Sequence, residues 1–381
     1  MGIRKDCYDF YFLPNKSGVK FVGPKRIGYF SSYYDKESEE VYVADNSAQR
    51  YLDSNELNQP INCLEGFNIE TDEVLLPSSW SHFFRWVAEN RTIIDGLSSN
   101  SKDSPLDFLC SNMELKKIML STYDKRGWLI RAVKKRNAIF LFLGKKGNTE
   151  EMKSKPEDQE KDELVNDKED KEEEATLDCS QQKASKLNYA RFNIIRKITK
   201  AVKERETNSN TVMDALSTVS FSKIGKHRIL HTGFTEFVMS KDDLDKPIDQ
   251  ANFSALKLMQ NLYKEPNGEF NIPFYRHLYW WASALLCGVK TLICGDLDED
   301  FTLRKLDVLP ASKLNKDTLD KQRRCFITLD KTLDFIKSHV KESDKMYEFT
   351  YEAAPQEIIV TEKSLELQGD GDLPWYFTCD I

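Results

Sequence analysis

The chain has 381 residues, 40% of them apolar and 31% charged, with a formal net charge of −7; that much apolar material can build a core and excludes a wholly disordered or fibrous protein. The acidity is local, because residues 150–174 hold 13 acids against 5 lysines, a net −8, and leave the rest of the chain at about +1, so a polyanionic partner is not excluded. No secretory signal, lipid anchor or membrane span is expected: charges fall within the first six residues, Asp6 stands where a myristoylation signal wants Ser or Thr, and the apolar run from Trp280 to Cys294 is broken by Gly288 and Lys290.

From the N-terminus, "GVKFVG", "RIGYFSSYY" and "EEVYVAD" predict short strands of a peripheral β layer. "PSSWSHFFRWVAEN" predicts a helix capped by Ser78 or Ser79, with Phe83, Phe84, Trp86 and Val87 as its apolar stripe. "LDFLCSNMELKKIMLSTYD" reads as a second helix-rich segment, or a helix leading into a strand, and "GWLIRAVKKRNAIFLFLG" as a hairpin turning around Lys134 to Asn137. The segment from about 147 to 183 has almost no aromatic or branched residues and predicts a disordered insert within one domain spanning 1–381.

"KLNYARFNIIRKITKAVKER" predicts a helix with Leu187, Phe192, Ile195 and Ile198 on one side and a basic opposite face. Two strands around "HTGFTEF" and "SALKL", an aromatic helix "FYRHLYWWASALLCGV", two more strands, a helix near "KQRRCFITLDKTLDFIKSHVKE" and two C-terminal strands follow. This mixed order predicts an α+β fold around a large sheet. Eight scattered cysteines without a C-x-x-C pair read as reduced thiols of the nucleus or cytosol, and give no partners to His227 and His231, whose spacing puts them on one side of a strand, for a zinc site.

The chemistry hinted at by the central pair of strands is metal-dependent hydrolysis, in which carboxylates on neighbouring strands hold Mg²⁺ or Mn²⁺ and a lysine organises water or phosphate. "GFTEF" supplies Glu236, and "SALKL" supplies Lys257 with Ala255 two residues before it. Asp242 and Asp243 lie close by, in a connector where solvation is the plainer expectation. The basic clusters Lys134-Lys135-Arg136 and Arg323-Arg324 are candidates for phosphate contact, or simply solvated faces.

Three stretches, Gly28 to Ser31, Leu115 to Trp128 and Phe274 to Gly295, resemble the DXO and Rai-type decapping exoribonucleases, which remove incomplete or noncanonical caps from RNA 5′ ends. The resemblance covers most of the chain and implies a large mixed sheet packed on a second sheet, with helices around them and a groove between. Laid on this chain, the family's glycine-acid-apolar-aspartate strand motif falls on Gly233 to Glu236, so that Phe234 stands for the first acid and Glu236 for the aspartate. Its glutamate-apolar-lysine motif falls on Ala255 to Lys257, where only the lysine remains. Its helical glutamate falls on about Asn193, and its arginine before L-x-K on Asn112.

Phe234 and Ala255 read as ordinary core residues; for Lys257, a stem covering apolar surface and a retained functional role are equally open. The pattern of loss resembles a non-catalytic branch of the family from the insect germline piRNA pathway. That resemblance implies a nuclear factor without a cofactor, joined to a heterochromatin-type chromatin protein and an adaptor, whose groove takes RNA 5′ ends through Lys257 or is closed by Phe234. Two alternatives stay open: an active decapping enzyme or 5′–3′ exoribonuclease using Mg²⁺ or Mn²⁺ in a site rebuilt around Glu236, and a regulator that docks on a separate exonuclease.

Overall fold

The computed structural model describes residues 3–4, 18–35, 39–53, 59–68, 77, 80–97, 106–135, 137–144, 173–203, 205, 213–260, 262–265, 270–315, 318–343 and 345–364. In chain order the first half forms β1 (Ile3–Arg4), β2 (Phe21–Tyr34), β3 (Glu40–Val43), β4 (Arg50–Leu52), β5 (Ile61–Asn62), α1 (Trp80–Glu89), α2 (Arg91–Asp95), β6 (Phe108–Ser111), α3 (Asn112–Leu120), β7 (Trp128–Lys135) and β8 (Ala138–Leu143). The second half forms α4 (Glu173–Ile198), β9 (Thr199–Ala201), β10 (Ala215–Ile224), β11 (His227–Thr235), β12 (Phe237–Val238), β13 (Phe253–Gln260), α5 (Phe274–Cys287), β14 (Thr291–Leu297), β15 (Thr302–Pro310), α6 (Leu319–His339), β16 (Lys345–Glu352) and β17 (Glu357–Ser364).

Among the described residues, ten strands make one sheet in the order β1-β17-β16-β7-β8-β6-β11-β10-β2-β3, and seven make another in the order β5-β15-β14-β13-β12-β4-β9. Both are mixed: β6 runs parallel to β8 and β11, and β13 runs parallel to β14. The expected α+β architecture of a large mixed sheet with a second sheet is present.

Alternation along the strands sorts the layers. In β6, Phe108 and Cys110 enter the large core that also takes α5 and α6, whereas Leu109 joins the smaller cluster under α1. In β13, Phe253 and Met259 enter the large core, whereas Leu256 and Leu258 pack with α4 on the far side of the second sheet. The aromatic helix α5 lies in that large core, burying Leu278, Trp280, Trp281 and Leu286, and ends at Gly288, whose φ of 63° is the left-handed stop a glycine takes without steric cost.

Several expected elements differ. "GVKFVG" and "RIGYFSSYY" belong to one fourteen-residue strand, β2, because pairing with β10 continues through two register shifts. In "LDFLCSNMEL" the strand comes first and the helix second: Ser111 Oγ accepts from Met113 N while Glu114 Oε2 accepts from Ser111 N, a capping box that starts α3 at Asn112. Helix α4 begins at Glu173, inside the segment expected to be a loop up to 183, and ends at Ile198, where the chain turns into β9 instead of continuing to Arg205. Residues 147–172 and the helix caps Ser78 and Ser79 lie outside the described residues.

A cation-lined cavity where the two sheets meet

Glu236 is the residue on which the chain leaves the ten-stranded sheet and enters the seven-stranded one, between β11 and β12. Beside it lies a cavity of about 170 Å³, walled by β10 and β11 on one side, β13 on the other, and residues of α1, α3, α4 and α5. Sequence reading expected Asn112, Asn193, Phe234, Glu236, Ala255 and Lys257 together, and all of them but Asn193 line this space. Phe234 and Ala255 are not core residues but half-buried wall, each packing on a core cluster with one side and facing the cavity with the other.

Lys257 sits on the inward face of β13 with 1% of its surface exposed. Such burial shows more than a stem laid over apolar surface, since a lysine of that kind normally keeps its ammonium in water. Glu236, 4% exposed, is held by Arg191: Arg191 Nε donates to Glu236 Oε1 at 2.7 Å, and Nη2 donates to the same oxygen. The other oxygen, Oε2, accepts from the backbone N–H of Leu256. Both carboxylate oxygens are therefore engaged, one by a charged donor and one by the strand backbone.

Arg191 was not anticipated as a site residue. Its signal was present in the helix pattern: Leu187, Arg191 and Ile195 recur at four-residue spacing, which places a guanidinium in line with an apolar stripe. Asn193, expected at this wall, points elsewhere and donates its Nδ2 to Cys63 O at 3.0 Å; α4 presents Asn188, Arg191 and Phe192 to the cavity instead. A shift of one residue turns a helical side chain by 100°, enough to change its face.

Lys116, also unanticipated, reaches the cavity from α3 with 4% of its surface exposed. Its Nζ donates to Tyr279 Oη at 2.8 Å and to Ser283 Oγ at 3.3 Å, and lies 4.0 Å from the centre of the Tyr279 ring. The two acceptors stand four residues apart on α5 and so share a face.

Asn112 opens α3. Its Oδ1 lies 2.5 Å from His231 Nδ1, and its Nδ2 donates to Cys287 Sγ at 3.2 Å. An amide oxygen only accepts, so His231 carries its proton on Nδ1, and its Nε2 accepts from Ser222 Oγ at 2.8 Å. Burial pushes the His231 pKa down to about 3, which keeps the ring neutral. His227 lies apart from the cavity, its Nε2 3.1 Å from Asp334 Oδ1; the two histidines thus serve different neighbours.

The remaining candidates are not brought here. Lys134 and Lys135 stand on the β7–β8 hairpin, where Lys134 Nζ donates to Lys341 O at 3.2 Å, and neither lines the cavity; Arg136 lies outside the described residues. Asp243 is buried, contrary to the expectation of a solvated connector: it accepts from Ser240 Oγ, Lys246 Nζ and Asn252 N and ties the turn between β12 and β13 together. Asp242 is exposed, and Arg323 pairs with its neighbour Asp320.

A divalent ion of the kind the resemblance implies takes several oxygen ligands, more than one of them charged. Among the described residues lining the cavity, Glu236 is the lone carboxylate, and its oxygens are taken; no group of three His, Cys, Asp or Glu residues is placed to hold a metal anywhere among the described residues. The donors present do not fit that ion.

Comparison with known proteins bears on the whole chain. Residues 22–376 match the family described as RAI1 like PD-(D/E)XK nuclease. The decapping and exoribonuclease protein of Xenopus laevis is 22% identical over 354 residues, covering 86% of this chain and 79% of its own. Two solved structures share the fold: S. pombe Rai1 in complex with 3′-FADP, at a TM-score of 0.65 and 16% identity over 94% of this chain and 100% of that one, and Candida albicans Rai1 in complex with pU5-Mn²⁺, at 0.65 and 13% over 99% and 98%.

Proposed function

The chain belongs to the RAI1-like PD-(D/E)XK nuclease family, and on that premise we propose that it is a non-catalytic member of these decapping exoribonucleases. One observation carries the reading: where carboxylates should converge on a metal, Glu236 is the lone carboxylate among the described residues lining the cavity, already neutralised by Arg191, with Phe234 and Ala255 at the positions that the family's motifs give to acids. A single ion-paired carboxylate leaves most of a metal's coordination to water and fixes no in-line geometry for a displacement.

The pattern resembles Cutoff of the insect germline piRNA pathway. On that resemblance the protein acts in the nucleus, within a chromatin-bound complex with a heterochromatin-type protein and an adaptor, and keeps piRNA-precursor transcripts from termination, 5′ processing and splicing. The retained groove then serves as a surface for RNA 5′ ends and not as a reactor.

The test is a time course with 5′-monophosphorylated and capped RNA in Mg²⁺ or Mn²⁺, using the purified protein beside a Glu236→Ala/Lys257→Ala double variant. Both are expected to be inert. Cleavage or cap release by the wild type and not by the double variant would establish a rebuilt active site instead. Fractionation of germline cells checks the location: a cytoplasmic pool with no chromatin association removes the nuclear reading.

A further inference from the structure

We propose that the surface where the first turns of α5 and α6 meet the loop before β7 is a docking site for an acidic peptide segment of a partner protein, one that carries an aliphatic side chain among its carboxylates. The site is separate from the cavity and stands whether or not the cavity hydrolyses RNA.

Three parts of the chain meet there. Tyr123, in the loop between α3 and β7, sets its ring at 79° to that of Phe274, the first residue of α5, with 6.1 Å between centres. Lys321, in the first turn of α6, holds its Nζ 3.6 Å from the centre of the same Phe274 ring. Arg126 Nη2 donates to Tyr275 Oη at 2.9 Å and ties the loop to α5 again. None of these residues lines the cavity, to which α5 presents Ser283, Ala284, Leu286 and Cys287 instead. At 1.5 Å of rise per residue, Phe274 and Cys287 stand about 20 Å apart along the helix.

The surface is both apolar and positive. Phe274 is 42% exposed and Leu319, the first residue of α6, is 58% exposed, so each helix opens with a large apolar side chain in water that a partner would gain by covering. Around them, residues 123–126 and 319–324 carry five cationic side chains, Lys125, Arg126, Lys321, Arg323 and Arg324, and two carboxylates, Asp124 and Asp320. Both carboxylates are already paired, Asp124 with Arg126 at 2.9 Å and Asp320 with Arg323 at 3.1 Å. Lys125, Lys321 and Arg324 have no carboxylate partner among the described residues. Such an excess of cations beside exposed apolar side chains complements a segment of the opposite charge with an apolar anchor.

A peptide suits this surface better than RNA does. Lys321 covers one face of the Phe274 ring and keeps a base from stacking on it. A nucleic acid carries a charge at every phosphate and meets Asp320, whose side chain is 94% exposed, whereas a peptide can space its carboxylates over Lys125, Lys321 and Arg324 and lay its aliphatic side chain on Leu319. Exposed ion pairs contribute little one by one, so the charges and the apolar contact are needed together.

The experiment titrates the full chain into a fluorescein-labelled peptide of repeated Glu-Glu-Leu units, beside Gln-Gln-Leu and Glu-Glu-Gly counterparts, and reads fluorescence anisotropy. The peptide with both features is expected to bind about tenfold more tightly than either counterpart and to weaken as salt rises. Lys321→Glu/Arg324→Glu is expected to weaken it about tenfold and Leu319→Ser about threefold, each variant keeping the wild-type far-UV spectrum. Equal affinity for the three peptides, or an affinity untouched by the charge reversal, overturns the proposal.

Two further arms identify the occupant. Poly(U) RNA is expected to compete weakly; RNA that binds more tightly than the peptide and is released by the same charge reversal assigns the surface to nucleic acid. A variant lacking residues 150–172 is expected to bind the peptide as the full chain does; binding about tenfold tighter assigns the surface to the chain's own acidic segment. Either of these results overturns a partner peptide as the occupant.

Discussion

Gly233 and Asn112 approach so closely that a Cβ on the glycine would lie 2.0 Å from Asn112 Nδ2. Strand β11 passes under the start of α3 with no room for a side chain, and Asn112 uses that approach to reach His231. Gly233→Ala is expected to lower stability by about 1–3 kcal/mol, as overpacking does, and to free the His231 ring from Asn112. Denaturant titration reads the first effect and the imidazole NMR signals the second; a variant with unchanged midpoint and unchanged His231 signals contradicts the packing described.

The histidines set a direction for pH dependence. Burial lowers the pKa of His231 to about 3 and of His82 to about 4, and lowers that of His227. Each group therefore binds its proton more readily in the unfolded chain, near 6.5, than in the folded one. Their contribution is complete above about pH 6.5 and is lost on acidification toward the folded values, at up to about 1.4 kcal/mol per pH unit for each histidine. Urea midpoints at pH 7.5, 6 and 5 are expected to fall in that order, and His231→Gln to fall less steeply; a midpoint constant across the range contradicts this account.

Removing one partner of the Arg191–Glu236 pair, with its side chains 16% and 2% exposed, is expected to cost about 3–5 kcal/mol, because a buried charge is left behind. Arg191→Met shows this cost, and Arg191→Met/Glu236→Gln recovers part of it. A double-mutant cycle in urea measures the coupling; additive losses mean that the pair is not a unit.

Arg26, 6% exposed, donates from Nη2 to Cys287 O at 2.8 Å and to Gly288 O at 2.7 Å, closing the C-terminal end of α5, and its guanidinium lies 4.5 Å from the centre of the Phe253 ring. Arg26→Lys keeps the charge and loses the planar fork and the stacking. A loss of about 1–3 kcal/mol is expected, read as a lower thermal midpoint; a lysine variant as stable as the wild type shows that charge alone suffices.

Much of the fold was legible. The alternation in residues 227–235 and 253–260 and the aromatic run of α5 announce themselves, since a strand repeats every two residues and a helix every 3.6. The order within residues 108–120 was misread although its S-x-x-E capping box was visible. The start of α4 at Glu173 was not legible, because a charged run without apolar spacing reads as solvated chain until its continuation as one helix with the buried 187–198 segment is known.

By itself the sequence determined the residue identities on which any chemistry depends: phenylalanine at position 234, glutamate at 236, alanine at 255 and lysine at 257. These are covalent facts and need no fold. Only the tertiary structure decided that Arg191 on α4 meets Glu236 at the crossing of the two sheets, that Lys116 joins Lys257 in the same space, and that Asn193 turns away. Such contacts join residues 45 or more positions apart, and local periodicity says which face a side chain takes but not what the packing of two sheets and four helices sets opposite it.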